Sequence, residues 1–226
     1  LSGSKVFAHS GRIAMTQKIF SHVAVLLFAV SSLMFSAASV AQGAPAAKGK
    51  FIEVTPAQAT EPGKVEVLEF FSYGCGHCAA IEPLMEKWIK VQSADVVVRG
   101  VPVAFNAGMK PLQRLYYALE ALNRIDLHPK VFKAIHQEKK RLFTKAEIKS
   151  WITTQGVDAE KFEAAYESFG VSSKANRADQ LVTAYRIQGT PSVAVGGRFV
   201  TSPSEAGGYQ QTLDVASDLI RQVRGK

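Results

Sequence analysis

The stretch VEVLEFFSYGCGHCAAIEPLMEKWIK, residues 65–90, changes periodicity at a pair of cysteines. Its first part, residues 65–72, is short, rich in β-forming side chains and almost continuously apolar. That pattern predicts a strand covered on both faces. Beyond the cysteines, Ile81, Leu84, Met85 and Trp88 recur at i, i+3, i+4 and i+7, the signature of a helix with one apolar face. Pro83 falls inside that helix and predicts a kink. Cys75 and Cys78, the only two cysteines in 226 residues, therefore sit where a strand hands over to a helix.

Outward from this junction, residues 95–105 (DVVVRGVPVAF) read as a second strand, again with a buried character. Strand, helix and strand make a βαβ unit, which predicts that the two strands run parallel. The next 65 or so residues change to helical spacing. Leu112, Leu115, Tyr116, Leu119 and Leu122 form one apolar stripe, and Val131, Phe132 and Ile135 form another after Pro129. Thr144 followed three residues later by Glu147 is a capping box for a helix through Ile148, Trp151 and Ile152, which Gly156 closes. Asp158 caps a helix carrying Phe162, Ala165, Tyr166 and Phe169, and another helix spans roughly residues 173–187. Strand signals return at residues 191–195 and 198–200 around a Gly196-Gly197 turn, predicting a two-residue hairpin. Leu213, Ala216, Ile220 and Val223 end the chain as an amphipathic helix. The expected class is α/β: a split domain, residues 51–107 and 172–226, with an all-helical insertion at 108–171.

The amino-terminal part reads differently. Residues 1–14 precede the first methionine and have no sustained pattern, so they are set aside as upstream sequence. Residues 15–41 follow with a single cation, Lys18, an apolar run from Ile19 to Phe35, and small residues ending at Ala41. This is the order of a cleavable secretory signal. The run is short for a membrane-spanning helix and is broken by Ser31 and Ser32. Residues 42–50 are small and polar, as a flexible mature amino terminus would be. Residues 1–41 hold Lys5, Arg12 and Lys18 and no acid, so the exported chain carries a net charge of +5 rather than +8. Its basic residues are scattered and no aromatic-interleaved basic stripe exists, which argues against nucleic-acid binding.

Export places the two thiols where disulfides persist. Three roles compete for them. A zinc site needs four protein ligands, or three and a water, yet no second cysteine pair follows, and the remaining histidines of the mature chain, His128 and His136, lie far off in the helical stretch. A structural disulfide across three residues closes almost the smallest loop available and restricts the unfolded chain little. A redox-active pair explains the placement best. Cys75 lies where unpaired backbone N–H groups and the positive end of the helix dipole stabilise an anion, and His77 offers a further donor close by. Stabilising the thiolate favours the dithiol, which makes the disulfide an oxidant and Cys75 a good leaving group. Cys78, one turn further in, is the internal partner. Glu69, flanked by Leu68, Phe70 and Phe71, is expected to be buried with a raised pKa, able to accept or relay a proton as the thiols change state.

The strand ending Glu-Phe-Phe-Ser, the Cys-x-His-Cys junction, the helical insertion and the Gly-Thr-Pro-Ser turn before a Gly-Gly hairpin together resemble the DsbA family of bacterial periplasmic thiol:disulfide interchange proteins, within the thioredoxin superfamily. The resemblance covers essentially residues 51–224. It implies a thioredoxin-like fold and a protein thiol oxidase without a bound cofactor. It further implies that Cys75 is the attacked surface sulfur and Cys78 the buried one, that His77 stabilises the thiolate, and that Glu69 is the buried acid. Thr190 and Pro191 then correspond to the cis-proline loop that hydrogen-bonds an extended substrate. Implied partners are unfolded exported proteins and a DsbB-like membrane quinone reductase, with the protein itself a periplasmic monomer. Periplasmic isomerases of the superfamily carry an amino-terminal dimerisation domain, for which the roughly 20 residues before Val65 leave no room. Gly76 stands where many members have proline. Glycine leaves φ free, so a looser active-site turn and a weaker oxidant are expected.

Overall fold

The computed structural model describes residues 49–225. The upstream segment 1–14, the expected signal 15–41 and residues 42–48 lie outside the described residues. The first elements are β1 (Ile52–Glu53), β2 (Val65–Phe71), α1 (Gly76–Lys90) and β3 (Val96–Pro102). Five helices follow: α2 (Lys110–Ala121), α3 (His128–His136), α4 (Lys145–Thr154), α5 (Ala159–Glu167) and α6 (Phe169–Ala184). The chain then returns to the sheet with β4 (Ser192–Val195) and β5 (Phe199–Thr201), and ends in α7 (Pro203–Ala206) and α8 (Tyr209–Arg224).

The sheet has the order β1-β5-β4-β2-β3. β2 and β3 are parallel, as the βαβ reading requires, while β4 runs antiparallel to β2 and to β5. β2 is thus interior, paired on both edges and apolar on both faces. Val65 and Val67 join one core cluster with Ile81, Met85 and Trp88 of α1 and with Leu213, Ala216 and Ile220 of α8. Leu68 and Phe70 join the other, with the inserted helices, through Leu115, Leu119, Phe132, Ile148 and Phe162. Each such large apolar side chain contributes about 1.5–3 kcal/mol on burial. The strand that leads into the cysteines is consequently clamped from both sides, and the thiols inherit a fixed position.

Several local readings differ from expectation. β3 is an edge strand: Val96, Val97 and Val98 are only half-buried and Arg99 is exposed. A run of valines reports β-propensity and does not say how many neighbours the strand acquires. Where β3 passes α2, Gly100 is required by close approach, since a Cβ there would lie 2.5 Å from the Tyr116 hydroxyl. α1 continues through Pro83. Phe169 does not extend the apolar stripe of α5, because that helix stops at Glu167. Ser168 then caps α6 by accepting from the Val171 N–H, which starts the helix at Phe169 rather than near residue 173 and leaves Phe169 87% exposed. The Gly-Gly hairpin is also longer than two residues. Val195 pairs with Phe199, so Arg198 belongs to the turn, while Gly196 and Gly197 hold φ of 59° and 72°. The Thr144–Glu147 capping box and the Asp158 cap form as read. β1 and α7 were not foreseen; each is too short to leave a periodic trace.

Candidate active site

Cys75 is the N-cap of α1 and Cys78 lies one turn in, on the buried face that also carries Ile81, Glu82, Met85 and Trp88. The turn before the helix is closed by Cys75 N–H donating to the Ser72 carbonyl at 3.0 Å. Cys75 is half-buried, whereas Cys78 is only 1% exposed, and both are free thiols. The backbone N–H of Ser72 points at the Cys78 sulfur at 3.5 Å, and the Cys75 thiol lies 3.3 Å from the Thr190 carbonyl.

Their surroundings drive the two sulfurs apart. Cys75 is lowered to about 5, first by the hydrogen bond from the Cys78 thiol, against an opposing contribution from burial, and further by the Thr190 side chain and the backbone N–H groups of Cys78 and His77. Those N–H groups are the free donors of the helix N-terminus, which favour an anion at this position. Cys78 is pushed far above the ordinary thiol range, first because its proton is engaged by Cys75 and then by burial. A single proton shared between the sulfurs belongs to Cys78, and the negative charge to Cys75.

The other expected residues are placed differently: Thr190 meets the Cys75 thiol, the His77 ring turns to Tyr209, and Glu69 lies buried in β2. Thr190 and Pro191 are joined by a cis peptide bond in the loop before β4. The Ser192 hydroxyl, donating to the Gly189 carbonyl at 2.8 Å, holds that loop. Both residues line a cavity of about 490 Å³ whose walls also include His77, Ile187, Pro203 and Tyr209. His77 is exposed, and its ring is directed at Tyr209: Nδ1 lies 2.7 Å from the tyrosine hydroxyl. The contribution of His77 to the Cys75 sulfur therefore comes through its backbone N–H. Glu69, in the middle of β2, is 5% exposed, and burial, reinforced by the charge of Glu82, pushes it up to about 8. At neutral pH it is chiefly protonated.

Sequence reasoning missed Glu82. It follows Cys78 by four residues, so both project from the same buried face of α1, and that spacing was a readable signal. Its Oε2 is the one buried side-chain polar atom among the described residues without a hydrogen bond. His128 Nε2 lies 3.4 Å from that oxygen, His128 Nδ1 meets the Tyr73 hydroxyl at 2.7 Å, and His136 Nε2 reaches the Tyr73 carbonyl at 2.8 Å. The two histidines of the helical stretch thus brace the back of the thiol site. Among the described residues no three His, Cys, Asp or Glu side chains converge as metal ligands.

The chain is similar to known proteins. Residues 66–210 match the DSBA-like thioredoxin domain family. The chain is 49% identical to the thiol:disulfide interchange protein DsbA of Bordetella parapertussis, over 93% of this chain and 100% of that one. Its counterpart in Bordetella pertussis is 52% identical over 86% and 92% of the two chains. The crystal structure of Pseudomonas aeruginosa DsbA superposes with a TM-score of 0.75 at 35% identity, covering 78% of this chain and 93% of that structure. The expected α/β, thioredoxin-like fold with a helical insertion is borne out.

Proposed function

Because the chain belongs to the DSBA-like thioredoxin domain family, and so is a thiol:disulfide oxidoreductase, we propose that it works as an oxidase that donates a Cys75–Cys78 disulfide to newly exported proteins. The observation that carries this reading is the opposition between the two sulfurs, one half-exposed and lowered to about 5, the other buried and raised.

The steps follow from that opposition. A substrate thiolate attacks Cys75 Sγ, the reachable sulfur; the Cys75–Cys78 bond breaks and its electron pair leaves on Cys78. Cys78 strongly favours its protonated form, and we assign the supply of that proton to Glu69, the buried carboxyl of β2 that burial pushes up to about 8. A second substrate thiolate then attacks the substrate sulfur of the mixed disulfide, expelling Cys75 as a stabilised thiolate. Two substrate thiols become one disulfide, and the protein is left as the dithiol. The cavity beside Thr190 and Pro191 is where the extended substrate would lie.

We place this activity in the periplasm, with a DsbB-like membrane quinone reductase restoring the disulfide and the protein acting as a monomer. The signal-like order of residues 15–41 supports export. Among the described residues no helix is long and apolar enough to cross a membrane. The test is the ultraviolet absorbance of the reduced protein against pH: thiolate absorbance rising with a midpoint near about 5 is expected, and a midpoint near the ordinary value of about 8.5 rules out the donor role.

A further inference from the structure

Tyr209 and His77 are 132 positions apart, yet their side chains form one hydrogen-bonded unit at the mouth of the thiol site. His77 lies in the first turn of α1 and Tyr209 begins α8. The start of α8 is well anchored: the Thr212 N–H and hydroxyl both donate to the Gly208 carbonyl, at 3.0 and 2.7 Å. Tyr209 also packs against the core cluster shared by α1 and α8. The tyrosine hydroxyl is therefore presented from a fixed base to a histidine on an exposed turn.

An imidazole has two ring nitrogens, and a hydrogen bond at one fixes how the whole ring is turned. Here Nδ1 is committed to Tyr209 Oη at 2.7 Å, with the ring centroids 6.3 Å apart. The hydrogen-bond partners of the Cys75 sulfur are the Cys78 thiol, Thr190 and backbone N–H groups; the His77 ring is not among them. A histidine between two cysteines, free to turn, could give the thiolate a charge-assisted hydrogen bond, which is about twice as strong as a neutral one.

We propose that Tyr209 is a positioning residue that holds the His77 imidazole toward the Pro191 cavity and off the Cys75 sulfur, and so tempers the preference of the site for the dithiol state. The inference rests on the oxidase reading above and adds a control to it. Both residues line the cavity, so the hydrogen bond lies where a bound substrate would touch it.

The test uses the full chain in four forms: wild type, Tyr209→Phe, His77→Ala and the double variant. Phenylalanine keeps the ring and removes only the hydroxyl. Thiolate absorbance against pH and the equilibrium with glutathione are measured for each. Tyr209→Phe is expected to lower the Cys75 midpoint and shift the glutathione equilibrium about fivefold toward the dithiol, the size of one net hydrogen bond. That shift is expected to vanish when His77 is alanine, as coupled neighbours require. No shift, a shift in the opposite direction, or a shift that survives in the His77→Ala background overturns the inference. An ordinary wild-type thiol midpoint refutes the oxidase reading instead. A low wild-type midpoint that ignores Tyr209→Phe refutes only the role of Tyr209.

Discussion

The first turn of α1 and the turn behind it hold the same kind of acid in opposite conditions. At the helix mouth, Cys75 is half-open to solvent and surrounded by donors: a thiol, a threonine and the free N–H groups of the helix start. One turn in, Cys78, Glu82 and Glu69 are buried, and among the described residues no lysine or arginine pairs with either carboxylate, while His128 Nε2 lies 3.4 Å from Glu82. Donors gathered around a half-open sulfur stabilise its anion, whereas Cys78, its proton engaged by Cys75 and its side chain buried, is pushed the other way despite the Ser72 N–H beside it. The lesson is that three residues along one helix suffice to separate a leaving group from a proton holder, provided the strand before it is buried on both faces.

Exchanging either sulfur breaks this comparison most severely. Cys78→Ser, incubated with a disulfide-bonded model protein, is expected to retain a covalent substrate adduct through Cys75, visible on a non-reducing gel. Cys75→Ser is expected to form none and to lose thiol oxidation entirely. Adducts of equal yield from both variants would mean that the two positions are not distinguished by access.

Neutralising the buried side sharpens the comparison next. Glu69 ionises near about 8 in the folded chain against 4.5 when exposed. Below about 4.5 the carboxyl is protonated in both states and stability is unaffected. As pH rises, the unfolded chain ionises first, so the folded state loses stability progressively until about pH 8, by an amount on the order of 5 kcal/mol. Glu69→Gln removes this dependence. Urea denaturation should find the variant more stable than wild type, with a gap that widens from about pH 5 to about pH 8. A constant gap would show that Glu69 is ionised throughout.

The smallest change concerns the mouth itself. A Cβ at Gly76 would meet nothing within 4 Å, and the residue is the first of α1, where the fixed φ of proline suits a helix start. Gly76→Pro is expected to raise stability by about 0.4–1 kcal/mol by restricting the unfolded chain. It is also expected to move the glutathione equilibrium toward the dithiol. An unchanged equilibrium would mean that the looseness of the glycine turn does not weaken the oxidant.

Much of this was legible because it is local. The helix start at Cys75, the capping residues Thr144 and Asp158, and the apolar stripes of α2, α3 and α8 depend on neighbours within a turn or two of chain. Errors arose where a pattern was extrapolated past a local stop. Ser168 ends one apolar stripe before Phe169 can join it, and the valines of β3 look buried although the strand has a partner on one edge only. Glu82 was overlooked although its spacing from Cys78 places it beside the site.

By itself the sequence determined that two thiols would stand at a strand-to-helix junction, since periodicity and the pairing of Cys with Cys three residues later are properties of short segments. Only the tertiary structure decided which groups face those thiols. Thr190 and Pro191 arrive from the loop before β4, Tyr209 from α8, and His128 from the inserted helices, each fifty or more residues from the cysteines. The reason is physical: hydrogen bonds and desolvation act through space over a few ångströms, and spatial neighbours separated by a long stretch of chain leave no spacing in the sequence to be read.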